Sequence, residues 1–76
     1  MSFQGTPYFY RRLQKCPEIT LDYVSRVLAS PLRVTQQNDG RFRYWGYVVE
    51  QAKWLRVITL RNGTVHNAFF DRRFKP

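Results

Sequence analysis

Arginine dominates the chemistry open to this chain. Lys+Arg number 13 against 5 Asp+Glu, a formal charge of +8, and most of those cations are arginine. A guanidinium is a planar fork that holds phosphate through paired hydrogen bonds and stacks on flat rings. Aromatic residues make up 17% of the chain, so such rings are at hand. A small domain with this mixture usually meets a polyanion, most often nucleic acid. An acidic protein partner and a merely solvated basic surface are the alternatives.

Enzymatic options are narrow. His66 and Cys16 are the sole histidine and cysteine. Together they cannot build a zinc cluster, and a single thiol makes no internal disulfide. The lone thiol fits a reducing cytosol. There is no glycine-rich phosphate loop, no nucleophile elbow and no usefully spaced pair of carboxylates. Any catalysis is then expected to be metal-independent, to need no cofactor, and to use Arg, His, Tyr or Lys. RNA suits that set because it carries its own nucleophile, the 2′-OH. Cleavage requires removal of that proton, stabilisation of a charged phosphorane and protonation of the leaving 5′-oxygen.

Several residues have two readings. Histidine is the side-chain type suited to proton transfer, yet a single histidine such as His66 in a strand is commonly structural. Arg56 interrupts an apolar run, where an unpaired cation is costly. It either pairs with Asp71 and locks the sheet or faces an open groove and holds phosphate. Arg72 and Arg73 follow the last strand, as phosphate contacts or as a solvated end. Tyr44, Trp45 and Tyr47 either fill a core or carry stacked bases. The catalytic candidates are Arg56, His66, Arg72 and Arg73. The nucleic-acid candidates are Arg41, Arg43, Tyr44, Arg61, Asn67 and Lys75.

These residues are positioned by a predicted meander over residues 41–71, rich in β-branched and aromatic residues. Asn62-Gly63 predicts a two-residue type I′ turn. That register sets Arg61 opposite Thr64, Thr59 opposite His66 and Val57 opposite Ala68. One face then carries Leu55, Val57, Thr59, Arg61, Thr64, His66, Ala68 and Phe70. The other carries Trp54, Arg56, Ile58, Leu60, Val65, Asn67, Phe69 and Asp71. The first set is the more apolar and is expected inside, half-burying His66. Ahead of it, residues 32–37 form a first strand and Asp39-Gly40 closes a hairpin to residues 41–49. Gly46 in mid-strand points to a bulge or a close approach, and residues 50–53 make the next turn.

The N-terminal part reads as helical. Thr6 caps and Pro7 opens a first helix, with Phe9, Leu13 and Cys16 as its apolar stripe and Pro17 as its end. Thr20 caps a second helix to Ala29, with Asp22 in the first turn and Val24, Val27 and Leu28 as its stripe. Residues 1–5 are expected as a loose arm and residues 71–76 as a basic tail. The chain length of 76 makes one domain. The order predicts an α+β fold, two N-terminal helices packed on one face of a four-stranded antiparallel sheet. The second face is left free for a strand of nucleic acid. No apolar run reaches the roughly 20 residues of a membrane span, and the start lacks a signal-peptide pattern. A cytoplasmic protein without a membrane partner is expected.

The motifs Asp39-Gly40-Arg41, Tyr44 to Val48, Leu55-Arg56-Val57 and Val65 to Phe74 give the chain a resemblance to small bacterial proteins of the RelE/ParE-type toxin superfamily, with its barnase/EndoU/colicin/RelE-like fold. The likeness covers residues 19–75 and is most specific in the last two motifs. It implies the toxin of a type II toxin–antitoxin pair, cutting mRNA free or on the ribosome, or poisoning gyrase as in the ParE branch. It also implies an acidic cognate antitoxin. Arg56 matches the family's sheet arginine, and Arg72 and Arg73 match its basic residues after the last strand. The chain departs from the pattern in having only Lys53 where the family is lysine-rich. It also has Phe69, Phe70 and Phe74 where a C-terminal tyrosine is usual. His66 is the candidate replacement for that acid–base group.

Overall fold

A computed structural model describes residues 3–76. Local capping chemistry sets both helices. Thr6 Oγ1 accepts the Phe9 amide at 3.1 Å and Pro7 takes the first turn of α1, Pro7–Lys15. Thr20 Oγ1 accepts the Tyr23 amide at 3.1 Å at the start of α2, Leu21–Ala29. Strands β1 (Arg33–Gln36), β2 (Phe42–Val48), β3 (Lys53–Thr59) and β4 (Val65–Phe70) form one antiparallel sheet in the order β1-β2-β3-β4. The fold is α+β, with the helices N-terminal to the sheet, as expected. Helix α1 packs along β4, and α2 lies across β2 and β3.

The core lies between helices and sheet. Phe9, Val24, Leu55, Val57 and Val65 are fully buried there. Burying each such side chain contributes about 1.5–3 kcal/mol. Gly46 lets α2 come close to the sheet: a Cβ built on it would lie 2.9 Å from Val27 Cγ2. The expected close contact at Gly46 is therefore the seat of α2, and no bulge is needed there.

Both tight hairpins depart from the two-residue form. The Leu60 amide donates to Thr64 O at 2.8 Å and the Gly63 amide to Leu60 O at 2.9 Å. Gly63 has φ 92°, while Asn62 stays out of the left-handed region. The loop is therefore Arg61-Asn62-Gly63, a three-residue turn whose last position needs glycine. Residues 38–40 repeat it, with Gly40 at φ 91°. The reason is shared. Asn62 Oδ1 accepts the Thr64 amide and Asp39 Oδ1 the Arg41 amide, each at 3.0 Å. Such local side-chain bonds stabilise the wider loop.

One extra loop residue shifts the register. Leu60, not Arg61, faces Thr64, and Thr59 opposes Val65, not His66. An irregularity between Ile58 and Thr59 then absorbs one residue, His66, and restores Ile58 opposite Asn67 and Val57 opposite Ala68. Val65, assigned above to the open face, is in consequence a fully buried core residue. The apolar set Leu55, Val57 and Ala68 is inside, as expected.

The segment expected as a loose arm is in part fastened to the sheet. The Val65 amide donates to Gln4 O at 2.8 Å and the Thr6 amide to Val65 O at 2.9 Å, with a parallel bridge at Gly5. The Phe3 ring meets Phe9 edge-on at 5.9 Å. Residues 1 and 2 of that arm lie outside the described residues.

Candidate nucleic-acid interface

The strand register builds a row across the open face. Arg33 pairs with Trp45, Trp45 with Arg56 and Arg56 with Phe69, so cation and ring alternate over all four strands. The contacts follow the row. Arg56 lies 5.3 Å from the Trp45 ring and 4.8 Å from the Phe69 ring. Arg43 adds a second cation 5.7 Å from Trp45. Each such contact is worth about 0.5–1 kcal/mol at exposed sites and more when desolvated.

Asp71 closes the row from below. Its Oδ2 accepts from Trp45 Nε1 at 3.0 Å and from Arg56 Nε and Nη2 at 3.1 and 2.6 Å. Its Oδ1 accepts the Arg73 amide at 3.0 Å. Burial opposes the charge, but the hydrogen bonds from Trp45, Arg56 and the Arg73 amide prevail and hold the carboxyl below its ordinary pKa. Of the two readings of Arg56, the structure realises the pair with Asp71. The guanidinium is a lock of the sheet and of the chain end, with 26% of its side chain still exposed.

The chain end doubles back over this face. Phe74 stacks on Trp45 at 5.1 Å and 16°, touches Trp54 at 4.9 Å, and has Arg33 4.9 Å above its ring. The tail is thus anchored through Phe74, while Arg72, Arg73 and Lys75 remain exposed around it. At the neighbouring end of β3 and β4 a cleft of about 250 Å³ is lined by Ala52, Lys53, Trp54, Phe70, Asp71 and Arg72.

The remaining candidates are elsewhere. His66 and Asn67 belong to a polar seam between α1 and β4. His66 Nδ1 shares a 3.1 Å hydrogen bond with Thr6 Oγ1, and Tyr8 stacks on its ring at 5.0 Å and 25°. Arg12 Nε donates to Asn67 Oδ1 at 3.3 Å. Arg41 and Arg61 sit at the loop end of the sheet. Arg41 Nε is 3.8 Å from Asp39, and the Arg61 guanidinium covers Gly40, where a Cβ would meet its Nε at 2.7 Å. Tyr44 faces the helices opposite Val57 and packs on the core. It is not on the open face.

The structure places Arg43 and Arg56 on the open face, leaves Arg72, Arg73 and Lys75 exposed on the chain end, and leaves His66 and Asn67 with α1. Sequence reasoning missed Arg33, Phe74, Tyr8 and Arg12. For Arg33 the usable signal was the β1–β2 register. For Phe74 it was a single ring among the cations of the tail. Among the described residues no group of His, Cys, Asp and Glu could hold a metal ion. No described helix is long and apolar enough to cross a membrane. The chain matches no protein-family model, no curated protein and no solved structure.

Proposed function

We propose that the protein binds single-stranded RNA on its open sheet face. The setting is the one its resemblance to RelE/ParE-type toxins implies, a cytoplasmic toxin held by an acidic antitoxin. The row Arg33, Trp45, Arg56, Phe69 carries this reading. Its rings suit unstacked bases, which only a single strand offers. Arg43 beside Trp45 and the exposed Arg72, Arg73 and Lys75 of the chain end suit the phosphates. The preference for RNA over DNA comes from the resemblance.

Binding is tested by fluorescence anisotropy with a labelled RNA oligonucleotide over a salt series. Each phosphate contact on a single strand contributes about −0.7 to the slope of log K against log salt. Arg43→Ala is expected to weaken binding and flatten that slope. Arg56→Ala is a poor probe because it strands Asp71. A salt-independent or absent interaction with RNA overturns the reading.

One observation favours a second reading, metal-independent endoribonuclease chemistry. Thr6 engages His66 Nδ1, which leaves proton exchange to Nε2, and Tyr8 and Arg12 flank the same strand. Base, acid and phosphorane-stabilising cation are the groups that 2′-OH attack needs. In this reading Arg56 stays the partner of Asp71 and does no chemistry, and the exposed Arg72 and Arg73 serve substrate binding. Induced expression in a bacterial host decides it. Growth arrest with fragmented mRNA, abolished by His66→Ala, supports cleavage. Arrest with intact mRNA points to gyrase. Absence of arrest from folded protein leaves binding alone.

A further inference from the structure

The tail ring of Phe74 occupies a place with unusual company. Trp45 lies parallel beneath it at 16°, Arg33 lies over it at 4.9 Å, and Trp54 closes one side. Beneath Trp45 come Arg56 and then Phe69. A flat ring between a tryptophan and a guanidinium is the surrounding a stacked nucleobase takes. Trp54 also lines the adjoining cleft, where Lys53 and Arg72 supply two cations. Stacking and cation–π contact fasten the ring, and Trp45 beneath it is 6% exposed. The hydrogen bond that ties the tail to Asp71 comes from the Arg73 amide, and among the described residues Phe74 is held by ring contacts alone.

We infer that the Trp45–Arg33 slot is a nucleobase site of single-stranded RNA which Phe74 fills in the free protein. The entering base displaces Phe74 and stacks on Trp45 under Arg33. Its phosphate falls toward Lys53 and Arg72. This rests on the RNA-binding reading above. The RNA competes with the protein's own ring, so apparent affinity is reduced by the fraction of molecules whose slot is closed.

The experiment compares wild type with Phe74→Ala against two probes of equal length and charge, a short oligoadenylate and its abasic counterpart. Phe74→Ala is expected to bind oligoadenylate roughly two- to tenfold tighter, the factor by which an aromatic pair of ordinary strength holds the slot closed. The abasic probe is expected to bind both proteins alike. Phe74→Leu keeps apolar bulk over the core of the tail and is expected to fall between them, which covers a failure of Phe74→Ala to fold. Equal tightening of both probes would mean that the tail blocks phosphates and not a base, and overturns the inference. Unchanged or weaker oligoadenylate binding overturns it too, while the RNA-binding reading stands. If neither protein binds either probe, the RNA-binding reading itself falls and takes the slot with it.

Discussion

Leu55 and Arg56 are neighbours in the chain and belong to two different physical worlds. Leu55 points toward the helices and is fully buried. Arg56 points the other way and meets Asp71 at 2.6 Å. The helix-covered face is held by apolar burial, which is non-directional and spread over many contacts. The open face is held by one carboxylate that gathers Trp45, Arg56 and the Arg73 amide. The first kind of packing tolerates small shape changes. The second depends on a charge and on particular atoms. A face built in the second way keeps part of its charge toward solvent: Arg56 is 26% exposed, while Trp45 lies covered by the returning tail.

The sharpest break in this comparison is Leu55→Ala. It leaves a cavity in the covered face and is expected to cost about 3 kcal/mol in urea unfolding. Asp71→Ala attacks the other face. It strands a half-buried guanidinium and the Trp45 N–H, at an expected cost of about 2 kcal/mol near neutral pH. Only this second cost depends on pH. The Asp71 pKa is lowered in the fold. Its stabilisation is therefore complete above the unfolded-state value of about 3.9 and is lost as pH falls through the lower folded value. Urea curves at neutral and strongly acidic pH are expected to show the wild-type advantage over Asp71→Ala shrinking in acid. The Leu55→Ala cost should stay the same wherever both proteins fold. A constant Asp71 difference would show that its charge is not the cause.

A smaller effect of opposite sign lies inside the covered face. Thr59 is 1% exposed and its hydroxyl has no hydrogen-bond partner among the described residues. Thr59→Val removes that unsatisfied group and is expected to stabilise by about 1 kcal/mol in the same assay. The smallest effect is on the open face. Arg33→Ala removes the cation over Phe74 and is expected to cost about 0.5 kcal/mol. Its clearer signal is a change in tryptophan fluorescence as the tail loosens over Trp45.

Much of this architecture was readable in advance. The helix caps Thr6 and Thr20, the stop before Pro17, the strand sequence and the apolar inner face all appear where residue type and spacing place them. The candidate site was legible in composition and poorly legible in arrangement. Arg56 and Asp71 were recognisable as possible partners because both stood on one predicted face. Val65 was misplaced because one extra loop residue carries the side chains next to the loop to the opposite face. His66 is half-buried, as expected, but as the displaced residue of the strand. Its Thr6 partner is 60 residues away along the chain, beyond any local pattern.

The division follows from the range of the forces. Caps, turns and alternation act within about a turn of helix or a pair of strand residues, so residue type and spacing settle them. That covers the two helices, the four strands, the positive charge and the choice of inner face. Loop type, the displaced residue at His66 and the burial of Val65 depend on how distant segments fit together. So does the return of Phe74 onto Trp45. A ring in a basic tail has no local reason to lie anywhere. It lies on Trp45 because the β1–β2 register sets Arg33 beside that tryptophan, and Asp71 turns the chain back toward both.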